Sequence, residues 1–115
     1  MHRGEIRLVD LEPVVGSEAA RTRPAIVVST DAANASAVRH GRGVVTVVPV
    51  TSNVARVYPF QALLPSGDTG LPMHSKAQAE QVRSIDVRRI GRRLGQVPPL
   101  LMSEVDAALR LHLEL

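Results

Sequence analysis

The run from Val44 to Val50 constrains the fold most, because six of its seven residues are β-branched. Such side chains favour extended backbone, and a run with little polar alternation is typical of a strand covered on both faces. Pro49 lacks a backbone N–H, so we expect it at a sheet edge or a bulge. The sequence therefore predicts a sheet whose central strand is packed on both sides.

Shorter segments predict the rest of the sheet. Residues 5–11 alternate apolar and charged side chains with a period close to two, as in a half-buried strand. Further strands are predicted over residues 25–29, 58–64, 75–79 and 84–89. Between them, Thr30 or Asp31 can cap one helical turn over 31–36, the polar run 39–43 predicts a flexible loop, and 65–72 predicts a turn-rich connection.

The pattern changes after Pro98 and Pro99, where the apolar spacing becomes helical. We expect Ser103 to cap this helix, with Asp106 at its third position. One face would carry Leu101, Val105, Ala108, Leu109 and His112. Short strands followed by a terminal helix predict a single domain over residues 1–115, mainly β with helices and built as a small β-barrel.

Composition excludes several kinds of site. Tyr58 and Phe60 are the only aromatic residues besides histidine, so aliphatic side chains must build the core. Without cysteine, disulfides and thiolate metal sites are impossible, and the four histidines show no ligand spacing. No apolar run approaches the roughly 20 residues that span a bilayer. We expect no metal, no cofactor, no membrane contact and a cytoplasmic location.

The basic residues suggest an anionic partner. Thirteen of the fourteen are arginine, which binds phosphate as a planar, two-pronged donor. The net charge of +3 is modest, so composition alone favours nucleic acid only weakly.

Polar groups concentrate at three junctions between predicted elements, which strand ends in a small barrel can bring together. Taken singly, each junction has an ordinary structural explanation, as a solvated edge, a turn or a surface ion pair. The three are Ser17-Glu18 with Arg21 and Arg23, then Thr51-Ser52-Asn53, then Glu80-Gln81-Val82-Arg83.

In order and context these junctions resemble the MazF/PemK-type toxin endoribonucleases of bacterial toxin–antitoxin systems. The resemblance covers nearly the whole chain, so several spaced motifs agree where one alone would be weak. It runs through Arg3-Gly4-Glu5-Ile6, Leu8-Val9-Asp10-Leu11, Gly16-Ser17-Glu18, Arg23-Pro24, Ile26-Val27-Val28-Ser29, Val48-Pro49-Val50-Thr51-Ser52, Glu80-Gln81-Val82-Arg83-Ser84-Ile85-Asp86 and Gly95.

This resemblance implies an SH3-like β-barrel that forms a homodimer, cleaves single-stranded RNA without a metal ion and binds a MazE-like antitoxin. The family's catalytic arginine and threonine match Arg23 and Thr51. Glu18 or Glu80 is the candidate proton acceptor, because a guanidinium stays protonated and a hydroxyl is a weak base. The expected RNA contacts are Ser17, Arg21, Ser52, Asn53, Arg56, Gln81 and Arg83.

The sequence also departs from the family pattern. Arg7 replaces a tryptophan, Ala19 a glutamine and Arg21 a glycine. In the PemK-type branch a histidine stands at Ser17 and an arginine at Gln78, so we favour the arginine–threonine chemistry of the MazF branch. Two alternatives stay open here: a CcdB-like toxin that binds gyrase without nuclease activity, and a degenerate member that only binds RNA or its antitoxin.

Overall fold

The computed structural model describes residues 1–11, 15–18 and 21–115. Seven antiparallel strands form one strongly bent, barrel-like sheet, with helices that begin before β3, after β4 and after β7. The strands are β1 (Glu5–Asp10), β2 (Thr22–Val27), β3 (Val44–Thr51), β4 (Gln61–Leu64), β5 (Ser75–Gln78), β6 (Arg83–Asp86) and β7 (Ile90–Gln96). The helices are α1 (Asp31–His40), α2 (Ser66–Thr69) and α3 (Pro99–Leu113). A mainly β fold with a C-terminal helix is confirmed.

The strand order in the sheet is β4-β5-β3-β2-β1-β7, and β6 pairs with β3 beside β5. β3 therefore lies inside the sheet, with β2 along one edge and β6 and β5 in succession along the other. Pro49 falls between the stretch paired with β6 (44–47) and the stretch paired with β5 (50–51). The expectation of an edge or bulge was wrong: a gap between two partner strands accommodates this proline.

The two faces of the sheet carry separate hydrophobic clusters, because side chains alternate along each strand. One cluster includes Ile6, Ile26 and Val48 and packs against Met102 and Val105 of α3. The other cluster consists of Val9, Leu11, Ala25, Ala37, Val45, Val47 and Ile85, of which Ala37 belongs to α1. β3 contributes to both clusters, as its unbroken apolar run predicts.

The helix boundaries differ from the sequence-based expectation. Thr30 caps α1 as predicted, accepting a hydrogen bond from Ala33 N (3.3 Å). The helix extends beyond residue 36 through Arg39 and His40 and ends at Gly41, whose φ of 65° is left-handed. The polar side chains of this last turn point to solvent, so no apolar periodicity marked it as helix.

The predicted cap of α3 at Ser103 was also wrong. Pro98 is the N-cap and Pro99 begins the helix, a position where a missing N–H costs little. Ser103 lies one turn inside, donating to the Pro99 carbonyl (3.2 Å), and Asp106 binds Arg3 instead.

Several strand boundaries need correction. β1 ends at Asp10, one residue early, and β2 covers Thr22–Val27 rather than residues 25–29. β4 begins at Gln61 rather than residue 58, because residues 58–60 form a turn. β5 ends at Gln78, one residue early. The predicted strand over 84–89 ends at Asp86, a 3₁₀ turn covers Val87–Arg89, and β7 follows as a strand that the sequence did not predict. Its two glycines and two arginines hide the apolar alternation.

No helix in the described part of the chain is both long and apolar enough to cross a membrane.

Candidate functional site

The site is organised around the end of β3. β2 and β3 pair with Ala25 opposite Pro49, and continuing this register by two residues sets Arg23 opposite Thr51. On the other side of β3, Thr51 pairs with Lys76 of β5. Directly opposed residues share a sheet face, so Arg23, Thr51 and Lys76 form a transverse row. This row continues the face of the cluster that includes Val47 and Ala25.

A short turn fixes the Thr51 hydroxyl. Thr51 Oγ1 accepts a hydrogen bond from Asn53 N (3.2 Å), and Asn53 Oδ1 accepts one from Ala55 N (3.3 Å). A hydroxyl that accepts in this way still has its own proton to donate. Thr51 is half-buried, whereas Ser52 and Asn53 are exposed beside it. The turn therefore presents a donor at the rim of the sheet.

The first junction packs against the third. Gln81 Nε2 donates to the Ser17 carbonyl (3.2 Å), and an Arg83 Nη atom lies 4.0 Å from Glu18 Oε2. The same Arg83 Nη donates to the carbonyl of Leu11 (3.3 Å). Arg83 is paired with Val47 across the sheet, so it lies on the same face as Thr51. These contacts hold residues 17–18 next to residues 81–83.

Glu80 is held by a buried glutamine rather than by Arg83. Gln61 Nε2 donates to Glu80 Oε2 (2.7 Å), while Gln61 Oε1 accepts from Tyr58 N (3.1 Å). Among the described residues, Glu80 Oε1 is buried without a hydrogen-bond partner, as is Gln78 Oε1. Two buried oxygen atoms without hydrogen-bond partners thus lie near the end of β5. One of them belongs to the Glu80 carboxylate, the candidate proton acceptor.

The two remaining predicted contacts are exposed arginines. Arg21 has a left-handed backbone (φ 52°), and its carbonyl accepts from Leu11 N (2.9 Å) across the loop mouth. Arg56 donates to the Tyr58 hydroxyl (3.1 Å) and lies 5.7 Å from the centre of that ring. The departure at Ala19 lies outside the described residues.

Shallow cavities surround the site. One of about 200 Å³ opens beside the end of β3 and is lined by Pro24, Thr51, Ser52, Met73 and their neighbours. A larger one of about 470 Å³ lies between β1, β2 and residues 86–91 and contains none of the predicted site residues.

That larger cavity carries a neutralised pair. Side-chain hydrogen bonds from Arg88, joined by its backbone N–H, lower the pKa of Asp86 to about 2. Because Asp86 compensates the charge of Arg88, this cavity is less attractive to phosphate than the row at β3.

Possible metal ligands are dispersed. In residues 1–11, 15–18 and 21–115, no three histidine, aspartate or glutamate side chains group in a way that could hold an ion. The histidines have local contacts instead: His2 with Asp31, His40 with Ser36, and His74 with Ser66 N.

Sequence reasoning missed two residues of this region. Lys76, the only lysine, lies directly beside Thr51, and Gln61 holds Glu80. Both are more than 90% buried, at 8% exposure each. A polar residue that alternates with apolar ones in a strand usually faces solvent, so the sequence pattern did not distinguish Lys76 and Gln61 from ordinary surface residues. Their burial in the folded chain, which is unusual for polar side chains, identifies them.

Comparisons with known proteins show the family of the chain. Residues 2–113 match the family model described as PemK-like, MazF-like toxin of type II toxin–antitoxin system. The chain is 59% identical over 115 residues to Endoribonuclease MazF9 of Mycobacterium tuberculosis, covering 100% of this chain and 98% of that protein.

Two solved structures share the fold. MazF from Deinococcus radiodurans superposes with a TM-score of 0.82 at 30% identity, covering 100% of this chain and 97% of that one. An endoribonuclease in complex with its cognate antitoxin, from a mycobacterial species, gives a TM-score of 0.77 at 25% identity, covering 100% and 96%.

Proposed function

The chain belongs to the family of PemK-like, MazF-like toxins of type II toxin–antitoxin systems, and we propose that it cleaves single-stranded RNA at the row formed by Arg23 and Thr51. The observation that carries the proposal is the register of β2 and β3, which pairs Ala25 with Pro49; continued by two residues, it brings Arg23 and Thr51 to the same face. The relatives named as endoribonucleases, together with this row, favour RNA cleavage over a gyrase-binding toxin.

The reaction uses a nucleophile that RNA itself supplies. The 2′-oxygen attacks the adjacent phosphorus, the bond from phosphorus to the 5′-oxygen breaks, and a 2′,3′-cyclic phosphate and a 5′-hydroxyl result. One group must accept the 2′-hydroxyl proton, and another must protonate the departing 5′-oxygen. No covalent enzyme intermediate is needed.

Arg23 and Thr51 suit the anionic transition state. The guanidinium of Arg23 supplies planar, charged donors to the phosphate oxygens as negative charge builds on the phosphorane. The Thr51 hydroxyl, oriented by the Asn53 N–H, donates to a phosphate oxygen or orients the 2′-hydroxyl. Arg23 also supplies the proton for the 5′-oxygen, either directly or through water.

The proton acceptor in this proposal is Glu80 or Glu18. Glu80 is held by Gln61, and its second carboxylate oxygen is buried without a hydrogen-bond partner among the described residues. Glu18 is more exposed and accepts from Val15 N (3.2 Å) at the loop that packs against Gln81 and Arg83. The remaining predicted contacts bind the RNA on either side of the cleaved bond; they are Ser17, Arg21, Ser52, Asn53, Arg56, Gln81 and Arg83.

Binding partners follow from the family. We propose that residues 1–115 act as one domain, that two copies form a homodimer, and that a cognate antitoxin covers the RNA site. The solved relative in complex with its antitoxin supports the last point. Messenger RNA as substrate places the protein in the cytoplasm.

The test is cleavage of a mixed RNA pool by pure protein in the presence of a chelator, with mapping of the fragment ends. We expect discrete cuts with 2′,3′-cyclic phosphate and 5′-hydroxyl ends. Arg23→Ala and Thr51→Ala should each slow single-turnover cleavage by about 100-fold or more, while circular dichroism and oligomeric state stay unchanged. Arg110→Ala, on the exposed side of α3, is the control.

Three outcomes would count against the proposal. Full activity in both Arg23→Ala and Thr51→Ala would remove these residues from the chemistry. Full single-turnover activity in both Glu18→Gln and Glu80→Gln would leave water as the proton acceptor. Gyrase inhibition without RNA cleavage by the wild-type protein would reverse the choice of function.

A further inference from the structure

Lys76 occupies an unusual place for the only lysine of a chain. It lies in β5, opposite Thr51 of β3 on one side and Leu63 of β4 on the other. Only 8% of the residue is exposed, although ammonium groups are among the most strongly hydrated side chains in proteins. Burial of such a group is costly unless a partner compensates it.

The partner is a backbone carbonyl of the segment that connects β3 to β4, residues 52–60. Lys76 Nζ donates to the Arg56 carbonyl at 2.5 Å and lies 5.9 Å from the centre of the Tyr58 ring. A charge-assisted hydrogen bond in a site with little water is strong, and an ammonium near an aromatic ring adds to it. The lysine therefore fastens the 52–60 segment to the sheet beside Thr51.

The sheet holds the 52–60 segment at two further points: the Thr51 hydroxyl receives the Asn53 N–H, and Gln61 Oε1 receives the Tyr58 N–H. Between these anchors the side chains form a compact set: Tyr58 stacks on Phe60 with ring centres 5.3 Å apart and planes 3° apart, and Arg56 donates to the Tyr58 hydroxyl. The segment also carries Ser52 and Asn53. Of the residues proposed to contact RNA, Arg56 is the one whose backbone Lys76 binds, while Asn53 is held by Thr51.

We propose that Lys76 is a positioning residue that holds the 52–60 segment, and with it Arg56 and Tyr58, in the conformation that recognises single-stranded RNA. This inference rests on the proposed function for its effect on cleavage. Its effect on the segment does not, because the Lys76–Arg56 bond exists without RNA. Lys76 acts through these neighbours and not on the reacting phosphate.

The chain offers a built-in reporter of the segment. Tyr58 is the only tyrosine and there is no tryptophan, so tyrosine fluorescence arises from this ring alone. Lys76→Met keeps the aliphatic stem between Thr51 and Leu63 but removes the ammonium, whereas Lys76→Arg keeps a cation that can reach the carbonyl. Arg110→Met, which removes one exposed charge from α3, is the matched control.

We expect acrylamide quenching of Tyr58 to rise in Lys76→Met, because local opening exposes the part of the ring that is covered; the rise should stay below about 2.5-fold, since the residue is already 41% exposed. Lys76→Arg and Arg110→Met should stay near wild type. Unchanged quenching in Lys76→Met would overturn the inference, since the segment would then hold its position without the ammonium.

Cleavage of a defined single-stranded RNA supplies the second readout. In Lys76→Met, KM should rise about tenfold while kcat changes by less than about threefold, as expected for lost binding without lost transition-state contacts. Lys76→Arg should recover most of the KM. A fall in kcat with unchanged KM would overturn the positioning role, because Lys76 would then act on the reacting phosphate itself.

The two readouts separate this inference from the proposed function. If the wild-type protein does not cleave RNA, the proposed function fails, while the Tyr58 quenching series still decides whether Lys76 holds the segment. If Lys76→Met fails to fold, as judged by circular dichroism, the charge-preserving Lys76→Arg takes its place. If acrylamide quenching of Tyr58 in Lys76→Arg then differed from that in wild type, this would count against the bond to the Arg56 carbonyl as the anchor of the segment.

Discussion

Arg21 shows how one residue can be retained against its backbone preference. Its φ of 52° lies in the left-handed region, which costs a residue with a Cβ about 1–2 kcal/mol. The sequence pattern of the family places glycine at this position, where such a conformation is free of strain. An arginine that accepts this strain at the mouth of the proposed RNA site is best explained by its charge.

Arg21→Gly tests that explanation. Relief of strain and the added flexibility of the unfolded chain nearly cancel, so the free energy of unfolding should change by no more than about 1 kcal/mol. RNA affinity should fall, and the salt dependence of log K should lose about one unit of slope. Filter binding across a salt series and urea unfolding measure the two quantities.

Arg21→Ala is the matched control, because it keeps the Cβ and the strain while removing the charge. Both variants should weaken RNA binding to the same extent. A salt slope equal to that of wild type in both would mean that Arg21 makes no phosphate contact.

At the scale of elements, one buried asparagine joins α1 to the sheet. Asn34 is fully buried, its Nδ2 donates to the Ser29 carbonyl (3.0 Å), and its Oδ1 accepts from the Ser29 hydroxyl. That hydroxyl in turn accepts from Thr46 N of β3 (3.1 Å). The network fixes the path of the chain between β2 and α1.

Asn34→Ala should destabilise the protein by about 2–3 kcal/mol, because the Ser29 carbonyl loses its side-chain donor, the Ser29 hydroxyl loses its acceptor, and a cavity opens. Ser36→Ala, on the same helix, is the control: its hydroxyl has only a long contact with His40 (3.5 Å), and alanine favours helix. Urea unfolding measures both. Equal stability of the two variants would contradict the structural role assigned to Asn34.

Elements with a strong local pattern could be predicted from the sequence, and those defined by tertiary contacts could not. The β-branched run gave β3, and Thr30 gave the start of α1. The end of α1 was missed because Arg39 and His40 face water, and β7 was missed because Gly91 and Gly95 interrupt it. At Gly95 an added Cβ would lie 2.1 Å from the Thr69 carbonyl oxygen, a close approach that no local pattern reveals.

The same distinction holds for the site. Arg23, Thr51 and Glu80 could be named from the sequence because they belong to a known spaced pattern. Lys76 and Gln61 could not, since each is a polar residue in an ordinary alternating strand. Their importance arises only when β3, β4 and β5 pair and bury them.

In the whole molecule, a single sheet separates two hydrophobic cores. One residue near the N-terminus, Arg3, connects α3, which packs on one core, to α1, which packs on the other. Arg3 donates through Nε to the Val28 carbonyl (2.7 Å), pairs with Asp106 of α3 (2.6 Å), and through its backbone N–H binds Asp31 of α1 (2.6 Å). Both helices are thus held to the same end of the sheet. The opposite end is left to the polar row of Arg23, Thr51 and Lys76.

The burial of the only lysine has a consequence for proteolysis. An endoprotease that cuts only after lysine has one target in this chain, the bond between Lys76 and Ala77 inside β5, and Ala77 is fully buried. Cutting therefore requires β5 to leave both β3 and β4. We expect the native protein to resist this protease and the cutting rate to rise with urea in step with unfolding.

Gel electrophoresis would follow the appearance of two fragments, residues 1–76 and 77–115. Rapid cutting in native buffer, insensitive to urea, would show that the β4–β5 hairpin opens by itself. Otherwise the cutting rate reports the fraction of molecules in which the sheet beside Thr51 is open, so a single peptide bond measures the stability of the strands that carry the proposed RNA site.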